Sequence, residues 1–221
     1  MLATLPMYDW PEVWADNDAR WAEMRDRLRT EGVDAPEKLD RQVGYQSSWT
    51  RSDLVLGEAC GLPYIEALKD EVALIGAMDL ELEGCNPGQY NSLIIVHQMS
   101  DLSMDDLNGK PYAFNTACSQ SGLASIQKMG LTDGDGVMSG GHRASIQMIA
   151  EGTAEFAAID ARSWKLALAH EPRVSGVRII GATPPTPAPV YIAAKGADVA
   201  RYRRALKDVV PVTPDDYLSL L

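Results

Sequence analysis

The sequence predicts an α/β protein built as two lobes from one discontinuous chain, and three observations carry that reading. Short apolar runs alternate with stretches of helical periodicity, the pattern of helices layered on a sheet whose ligands sit at the carboxyl ends of its strands. The alternation breaks at Gly84-Cys85-Asn86-Pro87-Gly88, a turn cluster suited to a crossover. It breaks again at Thr183-Pro184-Pro185-Thr186-Pro187-Ala188-Pro189, which fits neither a helix interior nor a central strand and reads as a stiff second crossover. The two breaks assign residues 1–83 and 188–221 to lobe I and 84–187 to lobe II, with both crossovers forming the hinge.

Along the chain, Leu2–Met7 reads as a short buried strand. Asp9 is placed to cap a helix with Pro11 in its first turn and Glu12 three residues on. Trp14, Trp21, Met24 and Leu28 fall on one face of that helix, so the tryptophans read as core, and Gly32 suits its stop. A strand at Leu54–Leu56, a short helix at Pro63–Lys69 and a strand at Val72–Met78 follow, from which a parallel sheet is expected. Beyond the first crossover come strands at Ser92–Val96 and Pro111–Asn115, a helix from Ser119, a helix near Arg143–Glu151 and a strand at Ala154–Asp160. A helix with Trp164 and Leu168 on one face and a strand at Val177–Ala182 complete lobe II. Val190–Ala194 and a helix over Val199–Val209 return to lobe I.

Composition narrows the function. Thirty-one acids against twenty bases give the 221-residue chain a formal charge of -11, which repels nucleic acid and anionic lipid alike. It leaves room for a small anion held by backbone N–H groups and a helix dipole. No apolar run reaches the roughly 20 residues needed to cross a bilayer. No basic-then-apolar leader precedes the first strand, so two compartments stay open: the periplasm if a presequence has been removed, the cytoplasm otherwise. Cys60, Cys85 and Cys118 lack metal-ligand spacing and read either as buried thiols or, for Cys60 and Cys85, as a disulfide.

Three strand-end segments hold the candidate chemistry. Asn115-Thr116-Ala117-Cys118-Ser119-Gln120-Ser121-Gly122 opens a helix carrying Leu123, Ile126 and Met129. Ser119 and Ser121 bring hydroxyls to its positive end, and Gly122 leaves the backbone approachable. Plain capping by Ser119 fits the same residues. Gly140-Gly141-His142-Arg143-Ala144-Ser145 opens a second helix, where His142 is either an anion donor or a surface or capping residue. Asp160 ends the strand Ala157-Ala158-Ile159-Asp160, facing a ligand or capping the next helix.

Together these segments resemble the phosphate/phosphite/phosphonate substrate-binding family of ABC transporters. The resemblance runs through most of the chain: Leu5-Pro6-Met7-Tyr8-Asp9, Cys60-Gly61-Leu62-Pro63, Gly84-Cys85 with Tyr90 and Ser92, Asp106-Leu107-Asn108-Gly109-Lys110, and the three segments above. It implies a type II periplasmic-binding-protein fold, a phosphonate- or phosphate-like oxyanion between the lobes, an ABC permease as partner, a monomer, no cofactor and no catalysis. It implies ligand contacts from Ser119, Gln120, Ser121, His142 and Asp160 in lobe II, from Tyr8 in lobe I, and from Tyr64 and Tyr90 as further candidates. Where relatives carry Gln-Thr-Cys-Gly this chain has Glu58-Ala59-Cys60-Gly61, and a Glu58 carboxylate in the ligand set would favour an amine-bearing ligand such as an aminophosphonate. The stretch Lys128–Val137 is shorter than in relatives.

Two other classes compete. The same fold serves thiamine-pyrimidine precursors, as a binding protein or an enzyme, yet no GxSxG, P-loop or full dinucleotide fingerprint is present and no lysine stands in a glycine-rich pocket motif. An effector module of a regulator would need a helix-turn-helix that this chain lacks. Hinge closure on the ligand, bridging Tyr8 and Glu58 to Ser119, Ser121 and His142, is the expected mechanism.

Overall fold

A computed structural model describes residues 1–221. Eleven strands follow in chain order: β1 Leu2–Thr4, β2 Leu54–Ala59, β3 Val72–Ala77, β4 Gln89–Tyr90, β5 Ser92–His97, β6 Tyr112–Phe114, β7 Gly136–Met138, β8 Phe156–Asp160, β9 Val177–Ala182, β10 Thr186–Pro187 and β11 Val190–Ala194. By contact density the chain divides into two units. One comprises 1–81, 86–89 and 187–221; the other comprises 82–85 and 90–186.

The first unit holds a four-stranded sheet in the order β1-β2-β11-β3. β1 and β2 are parallel, but β11 runs antiparallel to both β2 and β3. The sheet is therefore mixed, not wholly parallel as the alternating pattern suggested. β11 is reached through the proline segment rather than through a helical βαβ crossover, and nothing in that connection dictates a parallel strand. Helix Trp14–Thr30 packs its Trp21, Met24 and Leu28 face into a core with Leu56, Ile75 and Tyr191. Each such burial is worth about 1.5–3 kcal/mol.

Two expectations fail at the start of that helix. Asp9 does not cap it, because its carboxylate binds Arg41 (2.6 and 3.1 Å) and Asn17 Nδ2 (2.8 Å) instead. Trp14 has the core's spacing but is 44% exposed. Its ring stacks beneath the Arg41 guanidinium at 5.0 Å, and its indole donates to the Asp9 carbonyl.

The second unit carries a five-stranded sheet ordered β7-β6-β8-β5-β9, again mixed, with β5 antiparallel to β8 and β9. Helices His142–Ala150 and Ala161–His170 belong to this unit, with Ile146, Ile149, Trp164 and Leu166 buried; Leu168, expected beside Trp164, is exposed. β7 has no apolar alternation and all three of its residues are exposed, so periodicity alone misses it. Its approach depends on Gly134, where a Cβ would lie 1.9 Å from the Lys110 carbonyl oxygen. The two short strands β4 and β10, at the chain crossovers, pair with each other. The C-terminal helix Pro214–Leu218, which periodicity also leaves out, is set by a Thr213/Asp216 capping box.

Candidate functional site

β6 ends at Phe114, and the chain turns through Asn115–Cys118 into a helical segment. Ser119 has extended backbone angles, and its Oγ accepts from Gly122 N at 3.0 Å, as an N-cap should. The first helical turn, Gln120–Ala124, is a wide π turn closed by Ala124 N to the Ser119 carbonyl at 3.0 Å, and regular α-helix follows over Ser125–Lys128. Such turns recur at functional sites. By position, the Ser121 amide has no helical carbonyl upstream to bond. Ser119, Gln120 and Ser121 are all at least 95% buried.

The second helix start is brought to the first by backbone and hydroxyl bonds. Gly140 N donates to the Asn115 carbonyl at 2.9 Å, and Ser139 Oγ donates to the Phe114 carbonyl at 3.0 Å. The helix His142–Ala150 then begins from Gly141, which offers no side chain to cap it. His142 Nε2 lies 2.8 Å from Ser121 Oγ and 3.2 Å from Asn115 Nδ2. Ser92 Oγ fixes the far side of the turn by donating to the Ser121 carbonyl at 2.8 Å. Two helix N-termini, two serine hydroxyls and an imidazole thus converge within one unit.

The electrostatics are those of dipoles rather than ions. Burial lowers the His142 pKa to about 4, with only the Ala158 backbone opposing, so the ring is neutral at pH 7. Arg143, next along the helix, is turned to the buried Glu171 carboxylate at 2.8 Å and to the His170 carbonyl at 2.9 Å. Positive potential at the two helix starts therefore comes from N–H groups and helix dipoles, the usual means of holding an oxyanion without a full counter-charge.

Of the other expected residues, Asp160 caps: its Oδ1 accepts from Arg162 N at 2.7 Å and Ser163 N at 2.9 Å. It sits opposite Ser92 in the β5–β8 register. Tyr90 is buried in β4, its carbonyl accepting from Thr186 Oγ1. In the other unit, Tyr64 is a core residue, packed edge-on to Tyr217 at 6.0 Å between ring centres. Tyr8 is half-buried in the loop after β1, where its carbonyl accepts from Trp10 N at 3.0 Å. Cys60, Cys85 and Cys118 are free thiols, so the Cys60–Cys85 bridge is not formed. Cys60 is buried at the start of the Gly61–Pro63 turn in one unit, while Cys85 lies on a crossover turn assigned to the other.

Glu58 has an internal role that its sequence context conceals. It lies on β2 opposite Tyr191 of β11, 97% buried, and its Oε2 accepts from Met7 N at 3.0 Å. Arg20 donates to the Tyr191 hydroxyl and lies over that ring, and its charge together with Tyr191 favours the carboxylate. Burial outweighs them and pushes the Glu58 pKa up to about 7. The nearby positive charge that acts on this carboxyl therefore comes from within the protein, from Arg20. Periodicity flags neither Arg20 nor Tyr191, because the two residues that meet lie 171 positions apart in sequence.

The family described as ABC transporter, phosphonate, periplasmic substrate-binding protein matches residues 50–210. Among solved structures, PhnD1 of Prochlorococcus marinus in complex with methylphosphonate superposes with a TM-score of 0.73 at 16% identity, covering 100% of this chain and 88% of that one. A binding protein component of an ABC phosphonate transporter from Pseudomonas aeruginosa gives 0.65 at 13% identity, covering 99% and 83%. A Xanthomonas citri protein bound to ATP gives 0.67 at 17% identity, covering 99% and 94%. At these identities the likenesses show a shared type II periplasmic-binding-protein fold. No curated protein matches the sequence.

Proposed function

This chain belongs to the phosphonate-type periplasmic substrate-binding proteins of ABC transporters, a transport component rather than an enzyme, and we propose that it binds a small phosphorus oxyanion of the methylphosphonate class for delivery to a membrane permease. The observation that carries the reading is the meeting of the Ser119–Gly122 turn with the uncapped start of the 142–150 helix, tied by the 2.8 Å Ser121–His142 contact. Ser119 and Ser121 hydroxyls and the amides of both helix starts would donate to the oxyanion, with Gln120 and His142 completing that wall. Tyr8 is the contact proposed from the other unit. The two units act as lobes that close on the ligand, and the closed form is what the permease reads. The protein works as a monomer in the periplasm, and no helix in it is long and apolar enough to cross a membrane.

Thermal unfolding against phosphate, phosphite, methylphosphonate, 2-aminoethylphosphonate, sulfate and a thiamine-pyrimidine analogue tests this. A specific ligand at 100 times its dissociation constant adds about 2.7 kcal/mol, a rise of roughly 5–11 °C for a chain of this size. Stabilisation by phosphonates and none by sulfate or the pyrimidine is expected. A response to the pyrimidine alone would refute the reading.

A further inference from the structure

Glu58 is a buried acid that the oxyanion wall does not use, and it lies in the same unit as Tyr8. Four groups act on its carboxyl. Met7 N, in the turn after β1, donates to Oε2 at 3.0 Å. The Tyr191 hydroxyl, across the β2–β11 ladder, accepts from Arg20 and donates its own hydrogen to the carboxylate. Arg20, on the Trp14–Thr30 helix, attracts the negative charge, and Asp9, two residues beyond Met7, repels it. Burial is the largest influence and leaves the carboxyl titrating at about 7. The turn that Met7 opens carries Tyr8. The Tyr8 carbonyl accepts from Trp10 N at 3.0 Å and Asn17 Nδ2 at 3.4 Å, and the Asp9 carboxylate is clamped by Arg41 and Asn17. The Met7 bond ends on an acid that changes charge near neutral pH. A glutamine at 58 would accept from Met7 N without burying a charge. What the carboxylate adds is a charge-assisted bond, stronger than a neutral one and dependent on pH.

We propose that Glu58 is a positioning residue whose carboxylate, oriented by Tyr191 and Arg20, pins the Met7–Asp9 turn and so presents Tyr8 to the ligand, making the hold on that ligand depend on pH. The inference rests on the reading that Tyr8 is the ligand contact from this unit. Above about pH 7 the carboxylate takes the Met7 and Tyr191 hydrogens together, and the turn is fixed. Below it one oxygen carries a proton, the Met7 bond falls to neutral strength and the turn loosens. A ligand that needs the turn in place favours the ionised acid, so by linkage its affinity rises with pH across this window. Direct repulsion between the carboxylate and an oxyanion has the opposite sign, with affinity falling as pH rises. Stability also falls over the same range, because burying the charge costs more than the strengthened bond returns.

Proton–nitrogen NMR of protein labelled with 15N-methionine, without ligand and between pH 5 and 9, tests the latch. The Met7 amide is identified by its loss in Met7→Leu. In wild type its proton should move downfield with a midpoint near pH 7 as the carboxylate forms, and in Glu58→Gln that movement should vanish. A Met7 amide that does not titrate in wild type overturns the proposal, as does the same titration in the variant. The wild-type titration decides even if a variant does not fold. In parallel, methylphosphonate affinity is measured for wild type and Glu58→Gln at pH 5.5, 7 and 8.5, and the ratio of the two constants cancels the ionisation of the ligand itself. The variant should match wild type at the lowest pH and bind about fivefold more weakly at the highest, the difference between a charge-assisted and a neutral hydrogen bond. A ratio that is constant with pH overturns the positioning role, and a wild type that binds more weakly than the variant at high pH overturns it in favour of direct repulsion. If wild type bound no phosphorus oxyanion at any pH, the functional reading would fall and the ligand half of this proposal with it, while the Met7 amide still decided the latch. If it bound methylphosphonate with a constant ratio, the reading would stand and the positioning role would fall.

Discussion

Replacing Glu58 by glutamine should stabilise the protein at neutral pH and change the shape of its pH profile. Glu58 is pushed from 4.5 up to about 7 by burial, and the attraction of Arg20 is already contained in that value. A carboxyl whose folded pKa is raised binds more protons folded than unfolded, so stability falls as pH rises from 4.5 to about 7. At about 1.4 kcal/mol per pH unit the whole effect is ~3 kcal/mol. His142 works in the opposite sense. Its pKa is lowered from 6.5 to about 4, so the unfolded chain binds the extra proton and stability is lost as pH falls through that window. The two contributions are similar in size and offset each other between pH 4.5 and 6.5. Glu58→Gln removes one of them and keeps an amide oxygen to accept from Met7 N. Urea unfolding at pH 4.5, 6 and 7.5 should find the variant level with wild type at the lowest pH and up to ~3 kcal/mol more stable at the highest. A difference that did not vary with pH would refute the reasoning, as would wild type gaining on the variant as pH rises.

Other substitutions probe the rest of the account. Gly122→Ala should abolish methylphosphonate binding and cost about 1–3 kcal/mol in thermal unfolding, because its Cβ meets Asn115 Oδ1 at 2.0 Å. Ser119→Ala should cost about 1 kcal/mol through the lost cap and weaken binding in a calorimetric titration. Tyr64→Phe should leave ligand affinity unchanged, since that ring packs against Tyr217 in the core. Arg143→Met should cost about 3 kcal/mol in denaturant unfolding by removing the nearer cation, at 2.8 Å, from the buried Glu171 carboxylate and leaving only Arg173 at 4.0 Å.

The strands at Val177–Ala182 and Val190–Ala194 are legible to the residue, because apolar runs there end at turn signals. So is the Ser119 cap, whose polar side chain at a helix start announces itself locally. Strand direction is not legible: β5 and β11 read as members of alternating units, and only the route of the chain makes them antiparallel. Trp14 and Leu168 carry the helical spacing of core residues but meet Arg41 and solvent instead, since spacing fixes a face without saying what covers it. At the site, a serine-rich turn and a glycine-flanked histidine are readable in sequence; their contact is not. Asn115 looks like an ordinary turn residue until Gly122 and His142 are seen around it. Glu58 misleads for the same reason, because a carboxylate beside an expected ligand site suggests a ligand cation when Arg20 supplies one from a distant helix.

Calorimetric titration of wild type and Ser121→Ala with methylphosphonate tests the central claim most directly. The account predicts saturable one-to-one binding to wild type and a loss of at least about tenfold in the variant, the equivalent of about 1.4 kcal/mol. Equal binding by both proteins, or no binding of methylphosphonate by wild type, would contradict it.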